Sequence, residues 1–313
     1  MRDHYNREIA YLRLSVTDLC NLRCAYCMPE SGVFKRTHAD ILRVEEIGEI
    51  VRACAACGVT KVRLTGGEPL VRRGIVDICR LVSSTPGIRE TCMTTNGVLL
   101  PTFAVPLRDA GLNRVNISLD SLNPETYRSV TCRDELAAAL RGLGAALEAG
   151  FDAVKINAVL MAGVNDGEIT ELAELCLRGV DVRFIELMPV GERAAWSAAH
   201  FLENSAVLKA LPELVPIGAE GVAKLYRLPG AAGRVGLISP VSAHFCPDCN
   251  RIRVTSDGKL KPCLHSKEEI NLRGLRGEEL EETIRAAIGQ KPRRHALETG
   301  VSESERNMNA IGG

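Results

Sequence analysis

Hydrophobic and polar positions alternate in short runs through the first two-thirds of the chain. The runs are YLRLSVT (11–17), KVRLTG (61–66), ETCMTTN (90–96), RVNISLD (114–120), AVKINAVLM (153–161) and DVRFIELM (181–188). A period of two over such lengths predicts β-strands. Between them the period lengthens. RVEEIGEIVRACAACG (43–58) and DELAAALRGLGAALEAG (134–150) carry apolar residues at helical spacing, and Gly58 and Gly150 stand where helix C-caps are expected. Repeated strand–helix units predict a parallel sheet, open or closed into a barrel.

The polar half of the alternation narrows this further. Strands buried on both faces read as nearly continuous apolar runs, and these do not. Arg13, Ser15 and Thr17 share one face of the first strand, Arg63 and Thr65 one face of the second. Asn116, Ser118 and Asp120 do so in the fourth, Lys155 and Asn157 in the fifth, and Glu186 and Met188 in the sixth. An exposed sheet face would also alternate, but the intervening helices must cover one side. The pattern predicts a barrel with a wide polar lumen that can hold a polar ligand.

After about Phe201 the rhythm changes. Residues 212–245 carry several Pro and Gly and no long helix pattern. RIRVTSDGKLKPC (251–263) reads as a hairpin turning at Asp257-Gly258, and a last helix is predicted from about Gly277 to Ile288. The ending RNMNAIGG reads, by the default for termini, as a flexible tail. The expected organisation is a barrel core over 1–211 and a C-terminal region over 212–313, with no linker long enough to make independent domains.

Charge and composition exclude some functions. The chain has 313 residues with 39 basic and 39 acidic side chains, so general nucleic-acid binding through phosphates is a poor fit. The opening MRDHYNREIA is polar and no apolar run reaches membrane-spanning length. A cytoplasmic protein with reduced thiols is expected, and its 12 cysteines then suggest metal rather than disulfides. Aromatic residues make up 4%, so the core should be mostly Leu, Val, Ile and Ala.

Two cysteine groups carry the chemistry. CNLRCAYC directly follows the first strand and puts Cys20, Cys24 and Cys27 at C-x3-C-x2-C spacing. The loop at a strand's C-terminal end is where barrel enzymes hold their reactive groups. Zinc would need a fourth ligand, for which His38 is the near candidate. Three thiolates also suffice for a [4Fe–4S] cube whose fourth iron stays open. Cys246, Cys249 and Cys263 form the second group, with His265 close enough in sequence to complete a Cys3His zinc site. A second cube could instead bind a substrate nitrogen or oxygen at its open iron. Cys54, Cys57, Cys79, Cys92, Cys132 and Cys176 read as ordinary core or surface thiols.

The first cysteine spacing, with aromatic Tyr26 before the last thiol and LTGGEP (64–69) ending the second strand, resembles the radical S-adenosylmethionine superfamily. YLRLSVTD, CNLRCAYCMP, VRLTGGEPL, TTNG, NISLDSL, RFIELMPVG, FCPDCNRIRVTSDGKLKPCL and the terminal IGG resemble, more narrowly, the GTP 3′,8-cyclase family, from about residue 8 to 313. The resemblance implies an α/β fold, an incomplete TIM-type barrel with a C-terminal extension carrying a second cluster. It implies that S-adenosylmethionine chelates the open iron of the first cube and is reductively cleaved to a 5′-deoxyadenosyl radical. That radical takes hydrogen from C3′ of GTP, and C3′ attacks C8 to give (8S)-3′,8-cyclo-7,8-dihydroguanosine 5′-triphosphate, the first step toward the molybdenum cofactor.

The same resemblance implies roles for residues. Arg13, Arg63, Thr94, Lys155, Arg251, Arg253 and the backbone at Ile252 would contact GTP. Tyr26, Gly67, Ser118 and Met188 would line the S-adenosylmethionine site, with Gly66 and Gly67 admitting the methionine ammonium. Gly312 and Gly313 would enter the barrel near the substrate and join Arg251 and Arg253 in the catalytic apparatus. An external one-electron reductant and a companion cyclic pyranopterin monophosphate synthase are the implied partners, with monomer and homodimer both left open. Leu19 stands where the family usually has Arg, in VTDRC, which puts any contact of that arginine in doubt. Two other readings remain at this point: a radical enzyme that modifies a peptide, and a metal-containing redox sensor without catalysis.

Overall fold

In a computed structural model, residues 1–29, 31–32, 37, 40–295, 297 and 302–312 are described. The alternating runs form β1 (Tyr11–Ser15), β2 (Lys61–Thr65), β3 (Glu90–Thr95), β4 (Arg114–Ser118), β5 (Ala153–Leu160) and β6 (Asp181–Glu186). Helices α1 (Val44–Ala56), α2 (Ile75–Ser83), α3 (Leu100–Asp109), α4 (Pro124–Thr131), α5 (Leu136–Glu148) and α6 (Ile169–Glu174) lie between them. Short helices α7 (Ala194–Ala199) and α8 (Ser205–Ala210) follow β6. The strands β7 (Val215–Glu220), β8 (Ala223–Arg227), β9 (Val235–Ile238), β10 (Arg251–Val254), β11 (Lys259–Lys261) and β12 (Ile270–Asn271) come next, then α9 (Gly277–Gly289) and α10 (Met308–Ile311).

Among the described residues these strands form one 12-stranded sheet in the order β12-β11-β10-β1-β2-β3-β4-β5-β6-β9-β8-β7. From β10 through β1–β6 to β9 every pair is parallel, and the outer strands are antiparallel. The order does not close on itself, so the architecture is an incomplete barrel. Leu12, Leu14, Val62, Leu64, Val115, Ile117 and Ile156 pack at 0% exposure with the helices, through residues such as Ile47 and Val51 of α1. The alternate residues face the lumen. Among the described residues no helix is long and apolar enough to cross a membrane.

The hairpin forms as expected. β10 and β11 pair antiparallel, and Gly258 takes the left-handed turn position at φ 80°. Residues 212–245, which carry no long helix pattern in sequence, contain three strands. β7 includes Pro216 and Gly218 around a register shift, which hides its period; Pro is tolerated there because β7 is an edge strand. These late strands extend the same sheet at both ends, so residues beyond 212 build the lumen's two flanks.

Candidate active site

The cysteine loop after β1 is seated on the loop after β2. Gly67 N–H donates to the Thr17 carbonyl (2.9 Å) and Glu68 N–H to the Leu19 carbonyl (2.8 Å). A Cβ on Gly67 would run into the Leu19 carbonyl and lie 2.7 Å from that of Asp18. The sequence reading assigned this glycine to ligand approach; contact with the cysteine loop already requires it. Gly67→Ala is therefore expected to destabilise the protein by about 1–3 kcal/mol, read by denaturant unfolding. Leu19 serves the loop through its backbone, and its side chain is exposed.

Glu68 knits this end together, and its buried carboxylate was not singled out from sequence. It accepts from Leu70 N–H (2.9 Å), Thr95 Oγ1 (2.7 Å) and Asn96 N–H (2.7 Å), and burial raises its pKa to about 7. Burial also pushes the Cys20 thiol up to about 11, Cys27 to about 12 and Cys24 well above its ordinary value. Tyr26 donates through its hydroxyl to Asp120 (2.8 Å), whose other oxygen accepts from Val159 N–H (2.8 Å). Burial raises Asp120 to about 6.

Cys246 and Cys249 precede β10, which runs parallel to β1, so this second loop enters the lumen at the end opposite the first. Cations hold its backbone. The buried Arg7 guanidinium pairs with Asp3 (2.6 Å) and donates to the carbonyls of Cys246 (2.9 Å) and Pro292 (2.8 Å). Lys291 Nζ donates to the carbonyls of Arg251 (2.8 Å) and Pro262 (2.8 Å), tying β10 to the turn bearing Cys263. Burial would raise the Cys249 thiol, but Lys291, Arg251 and Arg253 bring it below its ordinary value. His265 is buried beside His295, with Nδ1 3.1 Å from Ser302 Oγ. Burial, then His295, lowers its pKa to about 3, so it is neutral.

One cavity of about 450 Å³ reaches both thiol groups; its wall includes Cys20, Cys24, Cys27, Cys246, Cys249 and Cys263. Tyr26, Gly67, Ser118 and Met188 border it, as do Arg13, Arg63, Thr94, Arg251 and Arg253. Arg63 donates to Tyr11 Oη (2.5 Å), the Met93 carbonyl (2.8 Å) and Thr94 Oγ1 (3.3 Å). Burial would raise the Tyr11 phenol, yet Arg63, Arg13 and Arg251 bring it to about 8. Burial, then Arg251, lowers Arg253 to about 10. Arg251 lies over the rings of Tyr11 and Phe245, and Arg183 joins the same wall. The Nε atoms of Arg183 and Arg251 are buried without a hydrogen-bond partner among the described residues. So dense a group of buried guanidiniums suits a polyanionic ligand.

One placement differs from the sequence reading. Lys155 is not on the wall: its Nζ is bound to Glu220 (2.8 and 3.0 Å) and Asp181 (3.2 Å). Ile252 is opposite Leu12 with its side chain in the apolar core, and the sequence reading assigned a role only to its backbone. In β6 Arg183 and Ile185 face the lumen, since Val182 and Phe184 are core; Glu186 and Met188 also border the cavity at the strand's end, where Glu186 accepts from the Val241 and Ser242 N–H groups (3.1 and 2.9 Å). Alternation with the apolar Val182 and Phe184 was the sequence signal for Arg183. Gly312 is buried and its carbonyl accepts from Arg253 Nη1 (2.6 Å). Gly313 and His38 lie outside the described residues.

Each group offers three free thiols, and all six line the same cavity. Three thiols per cube with one iron left open match both groups.

The chain matches a model of the radical SAM superfamily over residues 14–176 and one described as Molybdenum Cofactor Synthesis C over residues 180–297. It is 50% identical over 320 residues to a GTP 3′,8-cyclase of Alkaliphilus oremlandii and 51% identical over 320 residues to one of Alkaliphilus metalliredigens, covering 100% of each chain in both pairs. A GTP 3′,8-cyclase of Geobacter sulfurreducens is 46% identical, with 99% of each chain covered. The structure of Streptococcus suis SuiB bound to S-adenosylmethionine superposes with a TM-score of 0.63, covering 90% of this chain and 68% of that one. At 15% identity that likeness concerns the fold alone.

Proposed function

This chain belongs to the GTP 3′,8-cyclase family of the radical S-adenosylmethionine superfamily, and from that premise we propose that it cyclises GTP between C3′ and C8 as the first step of molybdenum cofactor synthesis. The observation that carries the reading is one cation-lined cavity with three thiols at each end. When bound, the first [4Fe–4S] cluster supplies the electron that cleaves S-adenosylmethionine to the radical that takes the ribose hydrogen.

The chain's own residues hold the participants. Cys20, Cys24 and Cys27 would carry the first cluster, with Gly67, Ser118, Tyr26 and Met188 around S-adenosylmethionine. Asp120 fixes the Tyr26 ring through its hydroxyl. Cys246, Cys249 and Cys263 would carry the second cluster, on a loop anchored by Arg7 and Lys291. Arg13, Arg63, Arg251 and Arg253 would bind and orient GTP, whose triphosphate brings about four negative charges. The core over 1–211 and the region over 212–313 then divide the work, one holding S-adenosylmethionine and the other the substrate-side cluster. A separate one-electron donor is needed, and a companion synthase would consume the product.

The test is anaerobic incubation of iron-loaded protein with GTP, S-adenosylmethionine and a chemical reductant. Cyclised nucleotide and about eight irons with matching sulfide are expected; zinc in place of iron, or no nucleotide product, would refute the reading. Arg251→Ala or Arg253→Ala should weaken equilibrium GTP binding by about 1.5–3 kcal/mol, roughly 10- to 150-fold. Unchanged affinity in both variants at fixed salt would remove the two arginines from the substrate site.

A further inference from the structure

Lys155 cannot meet a phosphate as it stands. Its side chain is 3% exposed, and its Nζ is taken up by both oxygens of Glu220 and by Asp181. The two carboxylates differ in how they are held. Asp181 begins β6, in the middle of the sheet, and is clamped by Arg234 at 2.6 Å. Glu220 ends β7, the edge strand, at the tip of the hairpin with β8, and its side chain is 33% exposed.

Glu220 is also a hub. Besides Lys155 it meets Arg183 Nη2 (3.2 Å), Arg234 Nη2 (3.1 Å) and Arg114 Nη1 (3.4 Å). Burial would raise its pKa, but Lys155, Arg183 and Arg234 hold it below the ordinary carboxylate range, so it is ionised. Glu220 and the following Gly221 and Val222 border the same cavity as Arg183 and Arg251. A carboxylate with several cationic partners at the rim of an anion-binding cavity occupies the place a phosphate would take. A polyanion arriving there is repelled by Glu220 and attracted by everything Glu220 touches.

Resting on the GTP reading above, we propose that Glu220 is an internal stand-in for the substrate's phosphates. GTP displaces it, the β7–β8 tip moves away, and Lys155 and Arg183 pass from carboxylate to phosphate. Neutralising the stand-in removes a competitor. This is the opposite of what a residue that merely braces the cations would do, since losing a brace leaves cations disordered and binding weaker.

The experiment measures equilibrium binding of GTP and of guanosine, which has no phosphate, to iron-loaded wild type, Glu220→Gln and Glu220→Ala. Both variants should bind GTP about tenfold more tightly than wild type and bind guanosine as wild type does. Amide hydrogen exchange at residues 219–224 of the wild type should quicken when GTP is added. Weaker or unchanged GTP binding in both variants, or slower exchange at the hairpin tip, would overturn the proposal. Wild type that failed to bind GTP at all would overturn the functional reading itself, a separate result.

Discussion

Cys24→Ala is expected to abolish cleavage of S-adenosylmethionine, whereas Cys249→Ala is expected to abolish GTP cyclisation and leave slow cleavage intact. The two thiol groups share a cavity but stand at its opposite ends, one after β1 and the other before β10 and after β11, which pairs antiparallel with β10. Their surroundings differ in sign. Beyond burial, neighbouring thiols and Asp120 raise Cys24, while Lys291, Arg251 and Arg253 lower Cys249. The Asp120 carboxyl beside Cys24 suits a sulfonium ligand, and the cation-rich end suits a triphosphate. Each variant should retain about four irons, because the untouched group can still assemble a cube. The measurements are 5′-deoxyadenosine, cyclised nucleotide and iron per chain under anaerobic reduction. Cyclised product at the normal rate from Cys249→Ala would refute the assignment of the second group to the substrate.

Much of this arrangement was legible in the sequence because lumen residues alternate with core residues at a fixed period. Arg13, Thr65, Asn116 and Asn157 could be assigned to one surface before any coordinates, since Leu12, Leu64, Val115 and Ile156 between them had to be core. The method failed where a strand was short or interrupted. β7 carries Pro216 and Gly218, which hide its period, so the hairpin bearing Glu220 went unseen. Lys155 shows a second limit. Its face was read correctly, but its partners, Asp181 and Glu220, come from another strand and a distant hairpin, and no local pattern couples them. Arg7 and Lys291 escaped for the same reason: their work is on backbone carbonyls far along the chain.

Gly312→Ala is expected to lower cyclised product per 5′-deoxyadenosine by about 100-fold, the scale of a 1 Å misplacement of reacting groups. A default terminus would be loose, but this one is anchored along its length. Arg306 pairs with Asp257 (3.0 Å) and Glu269 (2.6 Å), and Asn307 Oδ1 accepts from Glu192 N–H (2.9 Å). Asn309 Nδ2 donates to the Asp18 carbonyl (3.0 Å), its backbone N–H faces the Cys27 thiol, and Ile311 is fully buried. The described chain thus passes the first cysteine loop and reaches Gly312, whose carbonyl is bound by Arg253. Gly312 has φ 84°, and a Cβ there would lie 2.5 Å from Thr65 Oγ1 and 3.1 Å from the Ser15 Cβ. An L-side chain costs about 1–2 kcal/mol in that conformation before any clash. The backbone would have to move, carrying the carbonyl that holds Arg253. Iron content should stay at the wild-type value, and uncoupled formation of 5′-deoxyadenosine should continue, because the thiol loops keep their own anchors. Residues appended after Gly313 should act in the same direction. Product yield per 5′-deoxyadenosine separates this from a loss of clusters, which would lower both. An unchanged ratio and rate in Gly312→Ala and in the extended chain would make the tail an ordinary end with no part in positioning the arginine.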